Sequence, residues 1–506
     1  MTLTTPTTVT DLPLPLWYEQ VTGRVETGDR FAGVYCAHRD NLAVLHALLV
    51  GPDTVRCLRT ALAPDAAGQT SYPALTPHVP AAFWYERALH DLSSVTPLGH
   101  PRLDPLLLPR DPGQPSPRPG QLDNISLQEH PHSRATDHHG PVDVVGRGMF
   151  SLPLGPVRSG VFESIEFLIE TPGENIPHLN IRPHYKHRGI AKQFEGRALA
   201  DGILVAERVE GIASVAHALA YVHAVEVLTT VVPPRTARLV RVVHAELERI
   251  ANHLDVVARL CEAAGLSVAI ARFAWHKETV MRLVSALCGN RFGRGVVCPG
   301  GIVGPPRLSP DQTSRQLHTI ATRITSDRKA LMSDSTFLDR VRGTGRLDPQ
   351  LAAAHGALGP VGRGSGCVDD ARHRAYDGYA ELPSVQLAVE DRGDAQARLR
   401  VRFNEIDSSC LLIRQACDRL MGLPDSPIRT PVPTGADGYT IGWAEAPQGE
   451  VIYGLDARDG IVGRCFARSA SLHNMLLFHD VFGHDVFTDF PFIEASFGLS
   501  YAGVAM

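Results

Sequence analysis

In the stretch ERVEGIASVAHALAYVHAVE, Glu207 to Glu226, two side chains have the chemistry to hold and pass a proton: the carboxylate of Glu210 and the imidazole of His217. A carboxyl group taken out of water is driven towards its protonated form, so an acid near a histidine can serve as a proton carrier with a raised pKa. The same carboxylate can equally be locked to an arginine and do no more than fill space. Both readings stand at this point.

Other chemistries are poorly served. The nine cysteines include no C-x-x-C pair, which speaks for reduced thiols in a cytoplasmic protein and against a disulfide framework. GRGSG, Gly362 to Gly366, is not a nucleophile elbow and does not follow the spacing of a dinucleotide fingerprint. HDVFGH, Glu-free from His479 to His484, has no general base between its histidines. Structural turns account for both. The histidines His130, His132, His138 and His139 are loosely spaced in a Pro-rich tract and read as solvated. A net charge of -5 with no basic stripe excludes nucleic acid as a partner.

The elements that must position Glu210 and His217 follow from periodicity. Pro233 and Pro234 precede a run in which Leu239, Val242, Val243, Leu247, Ile250, Leu254, Val257 and Leu260 recur at helical spacing until Gly265, predicting a long core helix. Its other face carries Glu246, Arg249 and His253, a solvated or packing face. A second helical region is predicted from Phe194 to Leu228, with small residues in its middle that let another backbone approach closely. The apolar segment DFPFIEASFGLSYAGVAM reads as threaded into the core. The first twenty residues lack the pattern of a signal peptide, and no apolar run reaches the ~18 residues of a membrane helix.

Several stretches carry a family resemblance. Trp84, Glu86, Arg87, Asp91 and then Gly99, His100, Pro101 and Leu103 resemble the signature of the small hydrophilic subunit of complex I. YKHRGIAKQFEGR (Tyr185 to Arg197), ELERIANHL (Glu246 to Leu254), NRFGRGVVCPGG (Asn290 to Gly301), GPVGRGSG (Gly359 to Gly366) and GDAQARLRVRFNEI (Gly393 to Ile406) resemble the large subunit of energy-converting nickel-iron hydrogenases and the quinone-site subunit of complex I. Both in one chain is the arrangement of the formate hydrogenlyase large-subunit family.

The resemblance implies an α+β protein: a small N-terminal α/β domain over residues 1–110, a Pro/His-rich linker over 111–145, and a large, mainly helical hydrogenase-like domain over 146–506. In the family two C-x-x-C pairs hold nickel and iron, because soft anionic sulfur suits both metals. Here those positions fall on Glu210, Ala213, Ser500 and Gly503, so no nickel-iron centre is expected. Glu210 and His217 then line the vacated cavity with Gly211, Ala213, Ser214 and Ser500. Of the two residues that hold a quinone headgroup in complex I, the tyrosine falls on Gly211 and the histidine on Arg158, which leaves a quinone or other organic acceptor bound in a different way. A histidine beside the terminal cluster falls on Gly293. His187 and Arg188 match the motif at the junction with an iron-sulfur small subunit, where a guanidinium raises the cluster's potential, and Glu195, Arg197, Glu207 and Arg208 join them in a buried ion-pair web.

No cofactor is expected on this chain itself. The implied partners are the iron-sulfur small subunit and, through it, membrane-embedded antiporter-like and anchor subunits on the inner face of the cell membrane. Two functions remain: a redox subunit with an acceptor cavity, or a silent scaffold.

Overall fold

A computed structural model describes residues 6–39, 42–108, 146, 148–158, 163–374, 376–382, 385–424 and 426–506. The expected linker, 111–145, and its four histidines lie outside them. The chain is mixed α and β, with small sheets towards its start and a mainly helical remainder, and it forms two compact units. One spans 6–188 with 354–356 and 504–506; the other spans 189–353 and 357–503.

In the first unit a four-stranded sheet runs in the order β1 (Thr7–Asp11), β4 (Val55–Leu62), β3 (Leu42–Val50), β2 (Arg30–Arg39). Helix α1 (Leu14–Glu26) is fastened to it by Trp17, fully buried, whose indole N–H donates to the Leu58 carbonyl at 2.9 Å. Helix α2 (Phe83–Ser93) carries the first four residues of the small-subunit signature, and Glu86, Arg87 and Asp91 hold the chain around it. Glu86 accepts from the backbone of Leu75 and Thr76, Asp91 from Leu106 and Leu107, and Arg87 pairs with Asp104 at 2.9 Å. That pattern is structural chemistry. A separate antiparallel sheet comprises β5 (Phe150–Leu154), β6 (Glu166–Thr171) and β7 (His178–Arg182).

In the second unit the predicted long helix is α4 (Arg235–Ala263), ended near Gly265 at φ +70°. It packs with α5 (Ser267–Cys288) and α7 (Ala395–Met421), and both of these pack with α6 (Pro310–Leu331). The region predicted as one helix from Phe194 to Leu228 is broken: only α3 (Ser214–Leu228) is a long helix, and Glu210 lies in the turn before it. Gly196 in a left-handed conformation and the Asp201-Gly202 turn interrupt the run.

Helix α3 lies on an antiparallel sheet of β8 (Gly438–Ala446), β9 (Gly449–Arg458) and β10 (Ile461–Arg468). The approach is close because of its small residues. A Cβ at Gly442 would stand 2.3 Å from both the Ala220 carbonyl oxygen and the Ala224 nitrogen. Backbone cannot yield as a side chain can, so Gly442→Ala is expected to lower stability by roughly 1 to 3 kcal/mol, read by denaturant titration, with Ala444→Gly as a milder control. The last helix of this unit, α8 (Phe490–Phe497), is apolar and packs against α4, as the sequence predicted.

Candidate functional site

Glu210, Ala213, Ser500 and Gly503, split between two segments far apart in sequence, come together. The Glu210 carbonyl accepts from Ala213 N–H at 3.4 Å, Ser500 from Gly503 N–H at 3.1 Å, and the two turns face one another. The space between them is filled by the Glu210 carboxylate. A Cβ on Gly503 would stand 2.3 Å from Glu210 Oε2 and 2.7 Å from Ser469 Oγ.

That carboxylate is pinned. His217 Nε2 lies 2.7 Å from Oε1, Ser469 Oγ donates to Oε1 at 2.9 Å, and Ser471 Oγ reaches Oε2 at 3.4 Å. On the far edge of the ring, His217 Nδ1 lies 2.9 Å from the Tyr453 hydroxyl. Burial first, with Cys465 and Glu210 adding, holds the Tyr453 phenol well above its usual range, so it keeps its proton. The imidazole thus bridges the Tyr453 hydroxyl and the Glu210 carboxylate. Ser471 Oγ also accepts from Ser500 N–H at 3.0 Å, which ties the second turn to the same knot. Glu210 is 1 % exposed and His217 fully buried.

The sequence named Glu210 and His217 together, and the anchor weighed for Glu210 was an arginine. The anchors are His217 and two serines. Tyr453, Ser469 and Ser471 went unnoticed, since a tyrosine on a strand and Ser-x-Ser after it carry no local sign of a partner more than two hundred residues away.

Gly211 and Gly293 face elsewhere. They line a separate cavity of about 90 Å³ between α4 and α5, walled by Val215, Leu247, Met281 and Phe292. Asp255, Lys277 and Arg291 also line it, and three further polar groups stand on it. Glu248 accepts from Val215 and Ala216 N–H at the start of α3, and burial pushes its carboxyl up to about 8. Burial lowers His244 to about 4, so its imidazole is neutral, and its Nδ1 has no hydrogen-bond partner; nor has Asn252 Oδ1.

His187, Arg188 and Arg158 belong to the first unit. His187 Nδ1 lies 2.7 Å from the Ala505 carbonyl oxygen, and Arg188, exposed, gives its backbone N–H to Met506 at 3.1 Å. Arg158 stands over the Phe167 ring at 5.2 Å. The acids and bases expected in a buried web do not form one. Glu195 pairs with Lys192 and Arg464, Glu207 accepts from Gly295 N–H and pairs with exposed Arg208 at 3.5 Å, and Arg197, exposed, donates to the Gln193 carbonyl.

Residues 17–119 match the family described as respiratory-chain NADH dehydrogenase, 30 Kd subunit, and residues 265–435 its 49 Kd subunit. Formate hydrogenlyase subunit 5 of Escherichia coli (strain K12) is 29% identical over 425 residues, 81% of this chain and 72% of that protein. The carbon monoxide-induced hydrogenase of Rhodospirillum rubrum is 30% identical over 313 residues, 60% of this chain and 85% of the relative. The chain belongs to the large-subunit family shared by energy-converting hydrogenases and complex I. The fold is also that of a chain in the membrane-bound sulfane sulfur reductase (MBS), an archaeal respiratory membrane complex, with a TM-score of 0.66, 22% identity, and coverage of 72% of this chain and 100% of that one.

Within this large-subunit family fold, three of the stretches that carry the resemblance meet in one buried ion network. Glu246 pairs with Arg249 at 3.1 Å and Arg372 at 3.2 Å, and accepts from Ser409 and Tyr379. Arg363, from GPVGRGSG, bridges Glu405 at 2.8 Å and Glu445 at 3.0 Å, while His253 lies 2.8 Å from Glu405. Burial alone would raise the Glu246 and Glu405 carboxyls; the guanidinium groups around them override it and hold both below their usual range. The polar face of α4 is thus packing, not solvated.

Proposed function

We propose that this chain is a subunit of a membrane-associated respiratory oxidoreductase, complex I-like or hydrogenase-like, in which it does not activate hydrogen. The observation that supports this most directly is the filled space at Glu210. A nickel-iron centre requires four soft donors converging on open room. Here one position offers a carboxylate already committed to an imidazole and two hydroxyls, one a hydroxyl, and two no donor atom. These residues do not fit the metals, and no step is routed through them.

In this reading the chain docks on an iron-sulfur small subunit through the region of His187 and Arg188, and through it on membrane-embedded antiporter-like and anchor subunits. Among the described residues no helix is long and apolar enough to cross a membrane, so attachment to the inner face of the cell membrane rests on those partners. Electrons from the partner's cluster pass to an organic, quinone-like acceptor. The cavity beyond Gly211, at about 90 Å³, has room for the polar end of such a molecule alone; His244 Nδ1 and Asn252 Oδ1 are unsatisfied there, and its apolar walls also carry Asp255, Lys277 and Arg291. The chain Tyr453–His217–Glu210 holds a proton beside it.

A second reading, a silent scaffold, is favoured by the same filled space, because a knot with so little exposure has no evident route for a proton. One preparation tests both. The purified complex is expected to contain no stoichiometric nickel and to show no hydrogen-dependent dye reduction; either would overturn the proposal. Glu210→Gln keeps the shape and removes the acid, so a proton-holding role predicts a fall in turnover of about tenfold or more. Unchanged turnover leaves the scaffold.

A further inference from the structure

A cavity of about 480 Å³ in the second unit opens between the start of α4, the end of α7 and the segment that leads into α6, and nothing above uses it. Its walls are mainly apolar, Val240 and Val243 from α4 and Leu420 from α7 among them, and Pro305, Pro306 and Pro310 fix the backbone along one side. The lining carries one permanent charge, that of Arg307, and no carboxylate.

Most of the other polar side chains on it are already spent. Ser309 caps α6, its hydroxyl accepting from Gln312 N–H at 3.2 Å; Thr313 donates to the Ser309 carbonyl at 2.9 Å; and the hydroxyls of Thr236 and Ser426 pair at 2.8 Å. Burial pushes the Cys417 thiol up to about 12, so it carries no charge. His244, neutral for the reason given above, adds none either.

Arg307 remains. Its backbone N–H donates to the Leu287 carbonyl at 2.9 Å, and its guanidinium lies on the bare α-carbon of Gly289, where a Cβ would stand 2.6 Å from Nη2 and 2.9 Å from Nη1. Gly289, at φ +87°, ends α5, and the carbonyl end of that helix favours a cation beside it. Among the described residues this exposed guanidinium makes no hydrogen bond and no ion pair, so a positioned charge keeps its donors open.

We propose that this cavity binds a monocarboxylic acid with an unbranched apolar chain, the carboxylate on Arg307 and the chain against the apolar walls. One cation with no facing anion selects a single negative charge, and the planar fork of a guanidinium matches a carboxylate. With the hydroxyls and the thiol spent, the rest of the cavity offers burial alone, which suits a chain without further polar groups. Its volume is of the size that small-molecule sites take. The site does not depend on the function proposed above.

Titration calorimetry on the purified complex, in one detergent throughout, tests it with octanoate and hexanoate as probes and 1-octanol as the neutral control. Octanoate is expected to bind saturably, more tightly than octanol and about tenfold or more tighter than hexanoate, because each buried methylene contributes about fourfold. Arg307→Gln removes the charge from an exposed side chain that no bond ties to the fold, and is expected to weaken octanoate by about tenfold or more while leaving octanol unchanged. Leu423→Trp, at a half-buried wall position, narrows the cavity and is expected to weaken acid and alcohol alike. Absence of saturable octanoate binding, octanol bound as tightly as octanoate, or either substitution without its effect would overturn the assignment.

Discussion

Arg363→Met is expected to lower the stability of the fold by about 3 to 5 kcal/mol, the cost of breaking a buried pair and stranding its partners. Arg363 is 1 % exposed and lies within 3.3 Å of carboxylates on Glu405, Glu445 and Asp370. Removing it leaves Glu405 with His253 and a distant Arg249, and leaves Glu445 without its nearest guanidinium. The penalty is one of uncompensated charge, so it is distinguishable from lost packing. Adding Glu405→Gln to Arg363→Met should cost clearly less than the sum of the two single changes, with a coupling of about 1 to 3 kcal/mol in denaturant titrations. Additive effects would show that Arg363 matters through its bulk.

The second large effect belongs to the Glu210 knot. Glu210→Ala leaves the His217 imidazole and two serine hydroxyls facing an unfilled space, with an expected cost of about 3 to 4 kcal/mol from unpaired polar groups and lost contacts. Gly503→Ala alone is also destabilising, by roughly 1 to 3 kcal/mol, because the carboxylate it would strike is pinned and cannot swing away. Combined, the two should compensate. The added methyl enters the space that the carboxylate gave up and keeps only its contact with Ser469 Oγ, so the double variant is expected to cost clearly less than the sum of the two single changes. A double variant that loses both penalties in full would mean that Glu210 does not occupy the position opposite Gly503.

What the sequence made legible was whatever depends on near neighbours. Helix α4 was readable from its apolar spacing, its preceding prolines and Gly265, and the small residues of α3 announced the close approach that Gly442 accommodates. The family resemblance brought Glu210, Ala213, Ser500 and Gly503 onto one page before any coordinates did. The features left open depend on distant partners. Glu246, Arg249 and His253 read as either a solvated or a packing face, and Arg363, Arg372 and Glu405, more than a hundred residues away, decide for packing. The helix predicted through Phe194 to Leu228 fails at its glycines, because small residues permit both a helix and the turns that interrupt one. That break sets Glu210 in a turn, from which it reaches the opposing segment.

The bare α-carbon at Gly503 also imposes a direction on how this protein can change. With the carboxylate of Glu210 in place, any side chain at 503, a thiol included, collides with it on arrival, whereas shortening the side chain at 210 clears that contact. Any path that places a side chain at 503 therefore passes through position 210 first. The order of steps is written into the geometry, and it works as a ratchet.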